Sequence, residues 1–333
     1  MTSLVRSDLR QRATAIGLRL GVAVLRGLPD RLVFQAAYTA GAGLSLVMSE
    51  RRALARANLR RVCEALVEAG SATDRIRRAA TDERSLERMV RSAFGYWIQG
   101  YAESAVISAY TADQMRRRVT FQDEPAVRAA LAPLESGPPG RIFISAHFST
   151  VELAGFYAVG VAGMRLSAPM ETVADPALQA YFERTRGARG ISLVPIRGAS
   201  VPLRGALQRG EAIAIVADRV IGGSGMPVRF FGAPARLPLG PAVLALESEA
   251  PCFVVGMRRT GWGRWAPHIE RLPAPSPGTL RQRITEHLEA QAGAFERLIA
   301  QAPEQWWSVM FPIWGVPAAP VSASTISSME TAA

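Results

Sequence analysis

The sequence predicts an α/β fold whose central sheet is mainly parallel. After residue 140, apolar runs of strand length alternate with helix-length segments, which is the pattern of strands joined by crossover helices. The chain has 333 residues, 49% of them hydrophobic and 20% charged, so it is long enough to bury a substantial core. We expect a helical, membrane-associating region over residues 1–135, an α/β core over 136–317 and a disordered tail over 318–333.

The N-terminal region is both basic and apolar. Residues 1–62 carry eleven arginines but only three acidic residues. Within them, residues 32–48 are 17 positions without a charge, which is the lower limit for a membrane span. An interfacial helix flanked by arginines fits this composition better, and an amphipathic helix packed on the core is an equal alternative. A cleaved signal peptide is disfavoured, because no clean apolar run is followed by a cleavage site.

Helical periodicity continues over residues 51–107. In this stretch Leu86, Met89, Val90 and Phe94 recur at helical spacing. Such a stripe is typical of a helix that packs on the core. A polar linker and a segment over residues 124–134 then lead to the first strand.

Residues 141–163 hold the first candidate for chemistry. An apolar run ends at His147, passes Ser149 and Thr150, and continues as a helix with Glu152 in its first turn. A carboxylate in a first helical turn is stabilised by the free N–H groups there. We expect Glu152 to accept a hydrogen bond from one ring nitrogen of His147 and leave the other nitrogen as a base. The alternative is a structural histidine at the end of a strand.

Four further apolar runs are predicted strands, and the segments between them are predicted helices. The third of these strands ends at Asp218 and Arg219, which either contact the head group of a ligand or pair with each other. The predicted strands cover residues 166–168, 191–196, 212–217 and 252–257, and the predicted helices cover 176–185, 201–208, a segment beginning at 241, and 280–299.

The charge balance restricts the partners. All 39 basic residues are arginine, and the formal net charge is +11. Because arginine binds phosphate through a planar fork, anionic lipid heads or a phosphorylated carrier are suitable partners. Nucleic acid competes for so basic a chain, but no nucleic-acid-binding module is recognisable. Cys63 and Cys252 lie far apart and form no ligand set with the three histidines, so we expect no metal site and a reducing cytoplasm.

Several segments taken together resemble one family. The chain contains ANLRRV, YWIQGYAE, HFSTVE after a strand, ADR followed by VRFFGAPARLPLGP, and PEQWWSVMFPIW near its end. This combination is similar to the bacterial lipid A biosynthesis (lauroyl/myristoyl) acyltransferases over about residues 18–314. The segments around ADR and FFGAPARLPLGP look closest to the branch that acylates phosphatidylinositol mannosides. Ala233 stands where that branch leads us to expect an acid, which leaves the acceptor open.

The resemblance implies a glycerolipid-acyltransferase-like αβα core on the cytoplasmic face of the bacterial plasma membrane, held there as a peripheral or monotopic protein. It places the family's HX4D/E motif on His147 and Glu152, its substrate-loop acid on Glu171 and its arginine on Arg186. From the residues alone, Arg186 reads as the solvated end of a helix. The acyl donor would be a thioester of CoA or of acyl carrier protein, without a further cofactor.

The implied reaction is transfer of an acyl chain to a glycolipid hydroxyl, with His147 as general base. Backbone N–H groups near Ser149 and Thr150, together with Arg186, are the expected donors to the oxyanion. A lipid A-type or lysophospholipid acceptor is an alternative, and a non-catalytic lipid-binding module is an alternative of another class. A hydrolase is disfavoured because the chain has no G-x-S-x-G nucleophile elbow.

Overall fold

A computed structural model describes residues 17, 19–121, 125–132, 139–173, 175–187, 189–221 and 225–314 of the chain. The tail predicted over 318–333 lies outside these residues. The described part is a mixed α/β structure with a six-stranded, mainly parallel sheet, as predicted. Buried side chains of the N-terminal helices and of the sheet share the same apolar clusters, so the core is continuous across residue 135. The division of the chain at that residue stays a prediction.

Helices make up the N-terminal part of the chain. Residues 19–27 are helical, and six labelled helices follow before the first strand. The longest of them begins after Asp82, whose carboxylate accepts a hydrogen bond from the backbone N–H of Ser85 at 2.8 Å. The helices are α1 (Asp30–Leu44), α2 (Ser49–Glu68), α3 (Asp74–Thr81), α4 (Glu83–Ile107), α5 (Ala112–Arg118) and α6 (Pro125–Leu131).

The predicted stripe on α4 is confirmed as core. Leu86, Met89, Val90 and Phe94 are all buried, with at most 4% of their surface exposed. They lie in the same apolar cluster as side chains of α2 and of the sheet. Packing with α2 and with the sheet therefore fixes the position of α4. The polar side chains of α4 are thereby held at defined positions relative to the sheet.

The uncharged run over residues 32–48 is not one helix. Helix α1 ends at Leu44, and α2 begins at Ser49 after a bend of 100°. Among the described helices, none is by itself long and apolar enough to cross a membrane. The bent pair of α1 and α2 passes such a test only when its two helices are taken together.

The sheet has β1 at its centre, between β4 and β7. Five strands run parallel, in the order β3, β2, β4, β1, β7, and β8 pairs antiparallel with β7 at the edge. A separate antiparallel hairpin is formed by β5 and β6. The strands are β1 (Arg141–Ser149), β2 (Leu166–Met170), β3 (Ile191–Pro195), β4 (Ala212–Val216), β5 (Gly225–Phe230), β6 (Ala233–Pro238), β7 (Cys252–Gly261) and β8 (Arg264–Arg271).

Side chains of β1 alternate between two buried faces. Ile142 and Ile144 contribute to one apolar cluster, whereas Phe143 contributes to the other. By the same alternation His147 lies on the face of Phe143. The helices that connect and cover the strands are α7 (Val151–Gly160), α8 (Pro176–Gly187), α9 (Ser200–Gln208), α10 (Gly240–Ser248) and α11 (Leu280–Ala300), followed by short 3₁₀ turns at Pro303–Gln305 and Trp307–Met310.

The five apolar runs predicted as strands are all strands in the structure, and the predicted helices between them are present. Sequence reasoning missed β5, β6 and β8. The hairpin contains Pro227, Pro234 and Pro238, which argue against a strand when only the sequence is read. Strand β8 lies at the sheet edge and contains charged residues and a proline, so it lacks the continuous apolar run of a central strand.

Both cysteines are buried and free. Burial raises the pKa of Cys63 and the pKa of Cys252 to about 12. Because only a thiolate is an effective nucleophile, neither thiol is suited to nucleophilic catalysis.

One buried histidine makes the stability of the fold depend on pH. His287 in α11 is 2% exposed, and burial lowers its pKa to about 4. In the unfolded chain this imidazole titrates near its ordinary pKa of about 6.5. Protons therefore bind preferentially to the unfolded state as the pH falls from about 6.5 to about 4, and the folded state loses stability across that window.

We expect the free energy of unfolding to fall by roughly 2 kcal/mol between about pH 8 and pH 5 through His287. Urea unfolding of the wild type and of His287→Leu at both pH values measures this difference. The variant should show a smaller decrease than the wild type. Parallel pH dependence of the two proteins would show that His287 does not carry the effect.

Candidate active site

The site lies where the carboxyl ends of β1 and β4 meet. The two strands pair in parallel with Ser145 opposite Val216. The backbone N–H of Ala217 donates to the carbonyl of Ser145 at 2.8 Å, so the register continues beyond the end of β4. His147 and Asp218, each two residues further along, are therefore neighbours. The distance between His147 Nδ1 and Asp218 Oδ1 is 2.7 Å.

Asp218 is held as a buried anion. Its side chain is fully buried, and its Oδ2 atom accepts hydrogen bonds from Trp306 Nε1 and Ser308 Oγ, both at 2.7 Å. Burial alone would raise the pKa of Asp218, but the charge of His147 and the hydrogen bonds from His147, Ser308 and Trp306 lower it to about 2. The carboxylate is thus ionised and can only accept hydrogen bonds.

The ionised carboxylate assigns the tautomer of His147. Because Asp218 accepts, Nδ1 of His147 carries a proton in both forms of the ring, and in the neutral form Nε2 has the lone pair. The His147 side chain is 22% exposed and lines a cavity, with its ring 6.5 Å from the ring of Trp307. An oriented histidine whose outer nitrogen is free to accept a proton is the arrangement of a general base.

The structure corrects the partner that the sequence assigned to this histidine. Glu152 does lie in the first turn of α7, but its Oε2 accepts from Ser104 Oγ and its Oε1 from Arg186 Nη2, both at 3.0 Å. The predicted hydrogen bond between Glu152 and His147 is wrong. The parallel register of β1 and β4 places His147 next to Asp218, whereas the first turn of α7 places Glu152 next to Ser104 of α4 and Arg186 of α8.

Arg186 and Glu171 lie at the cavity, as their assignment to substrate contacts requires. Arg186 is in the last turn of α8, where it pairs with Glu152 and stacks 5.0 Å from the ring of Phe182. It is therefore not a solvated helix end. Glu171 follows directly after β2, is exposed and lines the same cavity.

Ser149 and Thr150 are fully buried behind the cavity wall. Ser149 has a φ of 54°, in the left-handed region that a non-glycine residue rarely adopts. The hydroxyl of Thr150 donates to Glu103 and accepts from Trp265 Nε1 at 3.1 Å. Neither side chain lines the cavity, and a role for backbone N–H groups at this turn stays a prediction.

Asp218 and Arg219 separate at the end of β4. Asp218 bonds to His147, Trp306 and Ser308, so the alternative in which Asp218 and Arg219 pair with each other does not hold. Arg219 lines the cavity, with its guanidinium carbon 4.5 Å from the centre of the Phe311 ring. Of the two adjacent residues, only Arg219 is placed where a ligand would meet it.

The cavity beside His147 has a volume of about 710 Å³ and is lined mostly by apolar side chains. This size is within the range of ~300–1,000 Å³ typical of sites for small molecules. It is lined from both faces of the sheet, by Phe143 and Phe156 on the face of His147 and by Leu203 and Leu244 on the other. A long apolar group can therefore lie next to the polar end of the site.

Sequence reasoning missed three side chains that complete this site. Trp306, Ser308 and Ser104 bind the two carboxylates, but in the sequence they belong to segments that read as apolar core. The one available signal is their position near aromatic residues in the motifs YWIQGYAE and QWWSVM. Among the described residues, no three His, Cys, Asp or Glu side chains come together as possible metal ligands.

Comparison with known proteins identifies a family. The family model for bacterial lipid A biosynthesis acyltransferases matches residues 7–311. A phosphatidylinositol mannoside acyltransferase of Mycolicibacterium smegmatis is 30% identical over 186 residues, which are 53% of this chain and 57% of that protein. One of Mycobacterium tuberculosis is 26% identical over 184 residues, 53% of this chain and 54% of that protein. The chain thus spans about half the length of the curated relatives it matches.

Helix α4 packs closely behind the site at Gly100, where there is no room for a side chain. A Cβ atom there would lie 2.5 Å from Cζ2 of Trp307, and a ring edge cannot move aside as a flexible side chain can. We expect Gly100→Ala to destabilise the protein by ~1–3 kcal/mol through overpacking. Urea unfolding followed by tryptophan fluorescence measures the change.

Gly293 in α11 is the matched control. A Cβ atom there would lie 3.4 Å from the end of the Arg297 side chain, an ordinary contact distance. Gly293→Ala should therefore stabilise the protein by up to ~1 kcal/mol, as alanine does in a helix interior. If Gly100→Ala also stabilises the protein, the contact between Gly100 and Trp307 is not as tight as described.

Proposed function

The chain belongs to the bacterial lipid A biosynthesis acyltransferase family, and we propose that it transfers a fatty acyl chain from a thioester to a hydroxyl of a glycolipid. The observation that carries this proposal is the hydrogen bond of 2.7 Å between His147 and the buried carboxylate of Asp218 at the polar end of an apolar cavity. It combines a general base with room for a long hydrocarbon chain.

In the proposed reaction, His147 Nε2 removes the proton from the acceptor hydroxyl while the oxygen attacks the thioester carbonyl. Asp218 stabilises the imidazolium that forms, as a buried anion in hydrogen-bond contact does. The tetrahedral intermediate then collapses, its carbon–sulfur bond breaks, and the leaving thiolate takes the proton from His147. No covalent acyl-enzyme is needed, and each of these proton transfers contributes typically ~10²- to 10⁴-fold to the rate.

The polar pair of Arg186 and Glu152 is assigned to substrate binding. Arg186 carries a positive charge into the cavity wall within reach of ligand oxygens, and Glu152 holds it there through the 3.0 Å hydrogen bond. A guanidinium in this position suits the developing oxyanion or an oxygen of the acceptor. Backbone N–H groups at the start of α7 are the second candidate donors to the oxyanion.

The acceptor that we favour is a phosphatidylinositol mannoside, because the two curated relatives carry that acceptor in their names. Glu171 would accept hydrogen bonds from sugar hydroxyls, and Arg219 would bind the phosphate group. Ala233, the departure from that branch, is buried in β6 and is not part of the cavity wall. We therefore connect this difference in sequence with packing of the hairpin and not with contact to the acceptor. CoA and acyl carrier protein both suit the donor role.

We further propose that the N-terminal helices hold the protein on the cytoplasmic face of the membrane. Leu20, Val24, Leu28 and Leu32 follow each other at intervals of four residues and are 63%, 62%, 48% and 58% exposed. Leu20 and Val24 lie on one side of the helix over residues 19–27. Leu28 follows at the break after this helix, and Leu32 lies in the first turn of α1, so the exposed apolar side chains extend across both helices. The arginines of the same region would contact anionic lipid heads.

The proposed base predicts how two acid substitutions differ. Asp218→Asn should lower kcat by ~10²–10⁴-fold, because an amide no longer fixes the tautomer or stabilises the imidazolium. Glu152→Gln should lower it at least tenfold less, because Glu152 does not contact the base. The measurement is acyl transfer from radiolabelled palmitoyl-CoA to a panel of phosphatidylinositol mannosides and lipid A precursors.

His147→Ala, checked for folding by circular dichroism, is the reference for complete loss of the base. If Glu152→Gln is as inactive as His147→Ala while Asp218→Asn keeps most activity, the assignment of Asp218 is overturned. Full activity of His147→Ala would remove general-base catalysis altogether. If the wild type binds lipid but transfers no acyl chain to any acceptor, the non-catalytic lipid-binding module is favoured.

The proposed membrane contact predicts a change in lipid binding. The triple variant Leu20→Ser, Val24→Ser, Leu28→Ser should bind phosphatidylinositol-containing vesicles at least tenfold more weakly, since each buried CH₂ contributes ~0.8 kcal/mol. Vesicle flotation measures the bound fraction. The control variant Val67→Ser, Leu280→Ser changes apolar side chains that are also exposed, at 40% and 64%, and should bind as the wild type does. Equal binding by all three proteins would place the contact elsewhere.

A further inference from the structure

A buried ion pair lies directly behind the candidate site and is not part of it. Glu103 in α4 and Arg259 in β7 have side chains that are 0% and 2% exposed. Arg259 Nε is 2.9 Å from Glu103 Oε1 and 2.8 Å from Oε2, and Arg259 Nη2 is 2.6 Å from Oε2. Neither residue lines the cavity. Because two charges are costly to bury, such a pair is weak evidence for stabilisation by itself. Its other hydrogen bonds indicate what it positions.

The first of these connections leads to the turn that follows His147. Thr150, three residues after His147, donates its hydroxyl proton to Glu103 and accepts from Trp265 Nε1. Ser149, directly before Thr150, has the strained φ of 54°. Strained backbone conformations persist where the surrounding structure holds them in place. The carboxylate of Glu103 thus fixes the end of β1 from which His147 projects.

The second connection leads to the segment that binds Asp218. The backbone N–H of Arg259 donates to Gln305 Oε1 at 2.8 Å, and its carbonyl accepts from Gln305 Nε2 at 3.1 Å. Gln305 is buried and directly precedes Trp306, whose indole N–H is bonded to Asp218. The position of the donors to Asp218 therefore depends on the backbone of Arg259.

We infer that the Glu103–Arg259 ion pair is a positioning pair that holds His147 and Asp218 at hydrogen-bond distance. Its carboxylate acts on the turn after His147 through Thr150, and the ion pair anchors the β7 backbone at Arg259 to which Gln305 is bonded. The inference rests on the proposed function in so far as it concerns turnover. Its structural part, the geometry of the hydrogen bond between His147 and Asp218, does not depend on which reaction the protein catalyses.

Thr150→Val tests the first connection most cleanly. Valine has nearly the shape of threonine, so it removes the hydroxyl while the ion pair stays in place. We expect kcat to fall ten- to a hundredfold with KM changed less than threefold, because the base is misplaced while the cavity is intact. Thr150→Ser, which keeps the hydroxyl, should recover most of kcat.

A second readout reports on the hydrogen bond without turnover. The chain has three histidines, so ¹⁵N-histidine labelling gives a simple NMR spectrum. The proton of His147 Nδ1 should give a resonance that is lost in Asp218→Asn, and that shifts or broadens in Thr150→Val and returns in Thr150→Ser. Gln305→Met should weaken the same resonance through the second connection.

Thr279→Val is the matched control for a purely structural effect. Thr279 is exposed and caps α11 through Gln282, so its loss weakens the fold at a distance from the site. It should lower the thermal midpoint but leave kcat and the His147 resonance unchanged. Glu103→Gln should resemble Thr150→Val where it folds, and Thr150→Val keeps the test decisive where Glu103→Gln does not fold.

The inference is overturned if Thr150→Val leaves both kcat and the His147 resonance as in the wild type, or if Thr150→Ser restores neither. It is also overturned if Thr279→Val and Thr150→Val lower kcat equally at equal loss of thermal stability. If no acceptor is acylated by the wild type, the proposed function fails, and the NMR readout still decides whether the pair positions His147.

Discussion

The site depends on one fully buried carboxylate. Asp218 remains ionised away from water because three donors, on His147, Trp306 and Ser308, surround it. An ionised acid with fewer partners in that place would take up a proton or destabilise the fold. The same three hydrogen bonds that make the charge tolerable also orient the imidazole. Stability of the buried anion and orientation of the imidazole are therefore one requirement, met by the same atoms.

Parallel strand pairing explains why the base and its acid meet. The sequence predicted that both His147 and Asp218 stand at the ends of strands, because each follows an apolar run. It did not predict that β4 lies next to β1, since strand order follows from the packing of crossover helices and not from any local pattern. Spacing along the chain therefore favours Glu152 as the partner of His147, whereas the acid that contacts His147 in the fold is Asp218. The position of Glu152 in a first helical turn was predicted correctly, because that depends on local spacing.

The parts of the fold that were missed share a physical cause. Strand β8 and the hairpin of β5 and β6 are exposed on one side or carry prolines, so they lack a continuous apolar run. The aromatic side chains of Phe230, Phe231, Trp306 and Trp314 pack on one another as core. Yet the indole N–H of Trp306 also binds Asp218. A tryptophan whose ring packs in the core while its indole N–H binds a carboxylate has the same sequence pattern as an ordinary core residue.

The long separation of these contacts along the chain affects when the site can form. Trp306 and Ser308 lie 88 and 90 residues after Asp218, beyond β7, β8 and α11. Contacts between such distant residues form late in folding, because the intervening loop must close first. On a ribosome, a nascent chain that has released the whole sheet would still lack the two hydrogen-bond donors that stabilise the Asp218 carboxylate. The hydrogen-bonded pair of His147 and Asp218 is thus completed only after almost all of the described residues have been synthesised.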